Sequence, residues 1–294
     1  MAKVLAIVVT YNAMRWIDKC LGSLKESSAK VDIFVVDNGS GDGTPEYITD
    51  RYPDVVLTER EDNPGFGAAN NDGLRFALKN NYDFVYLLNQ DAWVEKDTIS
   101  TLISAWNDSY GILSPVQNNA KGKMDKKFRK KCGKRLKKAD ASVSGDNLIV
   151  TVPFVMAAHW LMSRQAIETV GGFSPAFRQY GEDDNYINRL HFHGLKAGVV
   201  PTAKAVHDRA ERKTTREQKM RLKCVATVVK MSNPNYSFFG RHLLEPLELI
   251  GMTIKNFSLV PVKFIPELLR RYKELKALRK QSKKKGAFLE ESAL

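Results

Sequence analysis

Cysteine is scarce in this chain of 294 residues, and the three present, Cys20, Cys132 and Cys224, are far apart and odd in number. That spacing excludes a disulfide framework and a Cys-rich zinc site, and it fits a reducing cytosol. Long apolar runs are also missing. Nothing approaches the roughly 20 residues of a membrane span, and the apolar stretch Val4 to Val9 is too short for a secretory core, so it reads as a first strand. No Gly-x-x-x-x-Gly-Lys-Ser/Thr loop occurs, and no Gly-x-Gly-x-x-Gly follows that strand, which removes nucleoside triphosphatase and dinucleotide fingerprints. Acidic residues are outnumbered, 33 against 46 Lys and Arg, for a net charge of +13. A partner with anionic character is implied, whether nucleic acid, a membrane surface or a phosphorylated substrate.

What is present alternates. Val4-Leu5-Ala6-Ile7-Val8-Val9, Val31-Asp32-Ile33-Phe34-Val35-Val36, Val55-Val56-Leu57 and Phe84-Val85-Tyr86-Leu87-Leu88 are apolar runs of strand length. Between them, helices are expected at Met14 to Glu26, after a Thr44 cap with Pro45 at the first helical position, and at Ala68 to Leu78. A β-α-β series of this kind gives a mostly parallel sheet covered by helices, with its ligand crevice beyond the carboxyl ends of the strands. Those ends carry Thr10-Tyr11-Asn12, Asp37-Asn38 and Asn89-Gln90-Asp91. An aromatic ring for stacking, a carboxylate for a base or ribose, and a hard oxygen ligand are what a nucleoside diphosphate requires.

The runs Val8-Val9-Thr10-Tyr11-Asn12, Val35-Val36-Asp37-Asn38-Gly39-Ser40, Asn63-Pro64-Gly65-Phe66-Gly67-Ala68-Ala69-Asn70 and Leu88-Asn89-Gln90-Asp91 resemble glycosyltransferase family two, most closely its bacterial rhamnosyltransferase-like branch. The resemblance implies an α/β GT-A fold over residues 1–210, with a nucleotide-binding half to residue 110 and an acceptor-binding half beyond it. It implies an inverting transfer from a nucleotide-diphosphate sugar, dTDP- or UDP-linked, to a glycan or lipid-linked oligosaccharide acceptor. Thr10, Tyr11, Asn12 and Asp37 would frame the nucleoside, and Gly65 and Asn70 the diphosphate side. Asn89, Gln90 and Asp91 stand where the family has its Asp-x-Asp element, with Asn89 replacing the first acid. Asp91 and His207 would hold a divalent cation, Mn2+ or Mg2+; Trp160, with His159, would face the sugar. Asp183, in Glu182-Asp183-Asp184-Asn185, matches the family's catalytic base.

Two stretches are strongly basic. From Lys121 to Lys138 eleven Lys and Arg stand against Asp125 alone, which suggests a solvated loop or a site for an acceptor phosphate. From residue 211 to 294 a helical extension is expected, with helices at Glu211 to Lys230, Phe238 to Ile254 and Val262 to Lys280, and a disordered tail after Lys283. The last helix is basic and amphipathic, suited either to an anionic membrane at the inner face of the cytoplasmic membrane or to packing on the domain. Two other classes compete: a nucleotidyltransferase, which lacks support because no Gly- and Arg-rich loop follows the first strand, and a non-catalytic basic binder. Nucleic acid is the less favoured partner.

Overall fold

The computed structural model describes residues 2–140, 148–209 and 215–290. Its centre is a sheet in which β1 (Val4–Thr10), β2 (Val31–Asp37), β3 (Val56–Glu59) and β4 (Phe84–Asn89) run parallel in the order β3-β2-β1-β4. Alternation along each strand splits its side chains between two cores. Val4, Ala6 and Val8 join Ile33, Val35, Tyr86 and Leu88 on one side, while Leu5, Ile7 and Val9 join Phe34, Val36, Val85 and Leu87 on the other. Because both faces are buried, these strands are apolar without interruption instead of alternating with polar residues.

Helices seal the two faces. α1 (Ile17–Lys25) and α2 (Thr44–Arg51) cover the first, and α3 (Phe66–Lys79) the second. Asp91 does not cap a helix directly: a short strand, β5 (Ala92–Val94), comes before α4 (Thr98–Ser104). The sheet continues through β6 (Tyr110–Asn118), which is longer than its sequence suggests because it runs parallel to a late strand. Thr44 is also not the cap of α2. Gly43, at φ 85°, occupies that position, and the Thr44 hydroxyl instead accepts from the Ala13 N–H and donates to Asp42.

The basic stretch is not a loop. Lys126–Asp140 forms a helix, α5, because Phe128, Cys132 and Leu136 recur every four residues and bury against the second core. Asp125 accepts from the Phe128 N–H and holds the first turn. Then follow β7 (Val150–Val152), an irregular segment at 154–158, β8 (His159–Ser163), α6 (Arg164–Val170), α7 (Glu182–Phe192) and β9 (Lys196–His207). β8 is antiparallel to both β4 and β6, which makes the sheet mixed.

Helices α8 (Arg216–Ser232), α9 (Phe238–Asn256), α10 (Val260–Arg270) and α11 (Tyr272–Gln281) enclose a third, smaller core. The expected start of α8 at Glu211 lies outside the described residues; Thr215 and Gln218 form a capping box where the description resumes. The single helix expected from Val262 to Lys280 is broken at Arg271. Its apolar side, Phe264, Leu268, Tyr272, Leu275 and Leu278, is turned inward with Ala176 and Phe177, so packing on the body accounts for it.

The expected disorder after Lys283 does not hold as far as Glu290. Ala287 and Phe288 are buried, the Ala287 carbonyl accepts from the Gly172 N–H, and the Phe288 carbonyl accepts from Asn71. Gly171, at φ 87°, leaves no room for a side chain: a Cβ there would lie 1.9 Å from the Ala287 oxygen. Gly171→Ala should therefore lower the unfolding free energy by about 1–3 kcal/mol, measured by urea titration. In a chain ending at Lys285 the same substitution should cost less, because only the backbone strain remains.

Candidate active site

Parallel alignment brings three strand ends to one edge. Thr10 lies opposite Asp37 and Val9 opposite Asn89 in the sheet register. Asp37 is almost fully buried, and its charge is met locally: Oδ2 accepts from the Thr10 hydroxyl at 2.7 Å and the Ser40 hydroxyl at 2.6 Å, and Oδ1 from the Ser40 N–H at 2.7 Å. A carboxylate oxygen has two acceptor sites. Oδ2 is thus filled and Oδ1 keeps one.

The loops after β1 and β2 are tied into one rim. Asn12, in the left-handed region at φ 52°, donates its N–H to the Ser40 hydroxyl oxygen and accepts from the Gly41 N–H through Oδ1. Asp42 accepts from the Met14 N–H. Gln90 pairs its side-chain amide with the Tyr11 backbone in both directions, at 2.7 and 3.2 Å. This fixes Tyr11 with its ring half exposed, 50%, at the crevice. Ser40 and Asp42 were not singled out in the sequence, although both sit in the loop that was.

Asp91 and His207 meet although 116 positions separate their numbers. His207 ends β9 opposite Ala92 of β5, and its Nε2 lies 3.3 Å from Asp91 Oδ1. Burial pushes the Asp91 carboxyl up, but its hydrogen bond with His207, together with Arg209 nearby, outweighs it and leaves its pKa lowered. His159 buttresses the strand end. Its Nε2 is 3.0 Å from the Val206 carbonyl, which can only accept, so Nε2 carries the proton and Nδ1 accepts from the Tyr86 hydroxyl at 2.8 Å. Burial, with help from His207, pushes the His159 pKa down to about 3, so the ring is neutral.

Three buried polar atoms at this edge have no protein partner: Asn38 Oδ1, Asn89 Oδ1 and His207 Nδ1. Buried polar atoms in a folded protein are ordinarily satisfied, and exceptions ask for an explanation such as a ligand. A carboxylate of lowered pKa in contact with an imidazole is a donor set that suits a divalent cation of borderline softness. Among the described residues no cluster of three or more His, Cys, Asp or Glu converges; Asp91 and His207 are the pair that could hold such an ion.

Asp183 stands in the first turn of α7, flanked by Glu182 and Asp184. Burial first, and the Asp184 charge second, raise its pKa to about 6; burial and Asp183 raise Glu182 to about 7. Lys131 of α5 pulls Asp183 and Asp184 the other way, which puts the basic helix beside this turn. The α3 start abuts the same region. A Cβ on Gly65 would lie 1.8 Å from the Arg178 oxygen, and one on Gly67 would lie 3.8 Å from the Glu182 side chain. Arg209, just past His207, pairs with Asp125 at the start of α5, 3.6 Å apart. Contacts thus tie the segment after His207 to the start of α5, and α5 lies beside the Asp183 turn.

Three other expected residues are enclosed. Trp160 is wholly buried, stacked on Phe173 with 6.2 Å between ring centres, and donates to the Val155 carbonyl; its place is in the core, not in a sugar pocket. His159 is likewise enclosed, acting behind His207. Asn70 is buried and donates to the Phe66 carbonyl of its own helix.

Residues 5–171 match glycosyl transferase family 2, a span that covers more than half the chain. Over 247 residues the chain is 26% identical to an N-acetylglucosaminyl-diphospho-decaprenol L-rhamnosyltransferase of Mycobacterium tuberculosis, covering 71% of this chain and 78% of that one. Over 106 residues it is 30% identical to an undecaprenyl-phosphate mannosyltransferase of Micrococcus luteus, covering 35% and 44%. Two solved structures share the fold over 95% of this chain. One is the mannosyltransferase PcManGT of Pyrobaculum calidifontis in complex with GDP-Man and Mn2+ (TM-score 0.56, 18% identity, 73% of that chain). The other is S. aureus TarS 1-349 in complex with UDP (TM-score 0.55, 14% identity, 80% of that chain). The family span and the shared sheet agree with the strand-edge motifs: the chain belongs to glycosyl transferase family 2 and is a hexosyltransferase with a GT-A fold.

Proposed function

We propose that the chain transfers a hexose, with rhamnose the foremost candidate, from a dTDP- or UDP-linked donor to a hydroxyl of a lipid-linked sugar acceptor, with inversion at the anomeric carbon. The observation that carries this reading is the Asp91–His207 contact of 3.3 Å at the sheet edge that also holds Asp37. The rhamnosyltransferase relative, named for a diphospho-decaprenol acceptor, supports the acceptor class.

In this reading the exposed Tyr11 ring stacks on the base, and the remaining lone pair of Asp37 Oδ1 accepts from the base or ribose. The Gly65 turn and the start of α3 border the diphosphate, while Asn89 and Gln90 line the floor between them. Asp91 and His207 would hold a divalent cation, Mn2+ or Mg2+, whose contribution when bound is to offset charge gathering on the leaving diphosphate. Asp183 removes the proton of the attacking hydroxyl. A carboxylate raised to about 6 is ionised at neutral pH and more basic than an ordinary aspartate, which suits a general base. Lys131 and its neighbours on α5 face the acceptor side and bind its phosphates. No covalent sugar intermediate is required. The lipid of the acceptor places the reaction at the inner face of the cytoplasmic membrane.

A thermal-shift panel of nucleotide sugars with and without Mn2+ tests the reading. A dTDP- or UDP-sugar should raise the melting temperature more with the ion than without, and Asp91→Asn or His207→Ala should remove the ion-dependent part. If no nucleotide diphosphate stabilises the chain in an ion-dependent way, the assignment fails.

Asp183→Asn should cut turnover on the order of 10² to 10⁴-fold while leaving donor affinity in place, as measured by steady-state kinetics and calorimetry. Turnover of the native chain should fall as pH drops below about 6, where Asp183 takes up its proton.

The same residue carries a stability cost of opposite pH dependence. Its folded pKa lies above the ordinary 3.8, so folding favours the protonated form, and stability is lost as pH rises from about 4 to about 6. Asp183→Asn should therefore stabilise the chain by about 1–3 kcal/mol at neutral pH and have little effect near pH 4, as followed by chemical denaturation across pH.

A further inference from the structure

The outer side of α9 takes no part in the site described. Phe239, Leu243, Leu247, Ile250, Ile254 and Phe257 recur at steps of three or four, which returns all of them to one side of a helix. All six are exposed, Phe239 at 73%, Ile254 at 69% and Phe257 at 90%. The opposite side is already packed, with Leu249 buried in the third core and Glu245 buried against Arg241 and Lys230. Surface helices ordinarily turn their apolar stripe inward. α9 presents one outward as well. Phe257 adds a second oddity, since it holds the left-handed region at φ 48° with its ring in solvent, a conformation that bulky residues rarely take.

Charge selects the occupant. Residues 215–290 hold 17 Lys and Arg against six Asp and Glu, so this quarter of the chain carries most of the excess of +13. Cations border the stripe where Phe257 stands: Arg216 donates to the Asn256 and Phe257 carbonyls, Lys223 bonds the Asn256 side chain, and Lys255 is exposed. An apolar row edged by cations matches an anionic bilayer interface, where the row enters the acyl boundary and the cations stay among lipid phosphates. A second copy of the chain would instead set these cations against their own kind across a two-fold axis. No helix among the described residues is long and apolar enough to cross a membrane, so this contact is one of lying in the interface.

We propose that α9 seats its outer stripe in the surface of an anionic lipid bilayer. The location differs from the one expected from sequence, where the last basic helix was the candidate. Asn185 of α7 donates to Ser232 at the end of α8, and α8 packs on α9; the seated face is thus one helix layer from the Asp183 turn.

Vesicle binding tests this apart from sugar transfer. The full chain should pellet with phosphatidylcholine vesicles containing about 30% phosphatidylglycerol and far less with phosphatidylcholine alone. Leu247→Glu with Ile254→Glu should weaken that partition about tenfold or more, with thermal unfolding unchanged because neither side chain is buried. Should that variant fold poorly, Leu247→Cys carrying a polarity-sensitive dye decides: its emission should shift to the blue on anionic vesicles. Absence of binding by the native chain, equal binding by the double variant, or no dye shift would overturn the proposal. So would a stripe-dependent dimer in sedimentation velocity that persists on adding vesicles.

Discussion

Burial of the parallel strands on both faces is the constraint from which the rest follows. With helices sealing each side, β1, β2 and β4 carry apolar side chains in both directions, and polar chemistry is left only the strand ends. Parallel direction then places those ends together, so Thr10, Asp37 and Asn89 share an edge as a matter of register. Two further strands, β5 and β9, run antiparallel to one another and bring Asp91 and His207 to the same region from distant parts of the chain. The site is thus a product of sheet geometry more than of any single loop.

Much of this was legible because apolar runs of strand length end abruptly in polar residues, and that transition marks a strand end whatever its partners. Pairings across long sequence separations were less accessible. Asp91 and His207 could be joined only through family resemblance, and nothing in the sequence pointed to His159 as the group that holds Val206 and so the histidine after it. The basic segment misled for a different reason. Its charges outnumber its apolar residues three to one, yet three side chains at i, i+4 and i+8 suffice to fold it onto the core as α5. Trp160 shows the converse. The family resemblance implies a sugar-facing tryptophan, but here it fills the space between Phe173 and Tyr186.

Electrostatics divides the molecule. The two basic stretches account for more than the whole net charge, so the remaining body, which includes the nucleotide side of the crevice, is acidic on balance. Within the crevice the carboxylates are treated unequally. Asp91 is held down by His207 and Arg209, whereas burial pushes up Glu182, helped by Asp183, and Asp183, helped by Asp184. Asp91 and Asp183, the same residue type, are thus shifted in opposite directions by their surroundings.

The chain's return at Ala287 and Phe288 has a mechanical consequence. Helices α8 to α11 leave the body after β9 and come back to it where the Gly172 N–H and Asn71 grip residues 287 and 288, while Phe177 is embedded among them. A segment that encloses Phe177 in its core and is tied to the body again at its last described residues behaves as a brace instead of a flap. Those two ties, one through the small core and one through the chain's return, hold the outer face of the brace in register with the sheet.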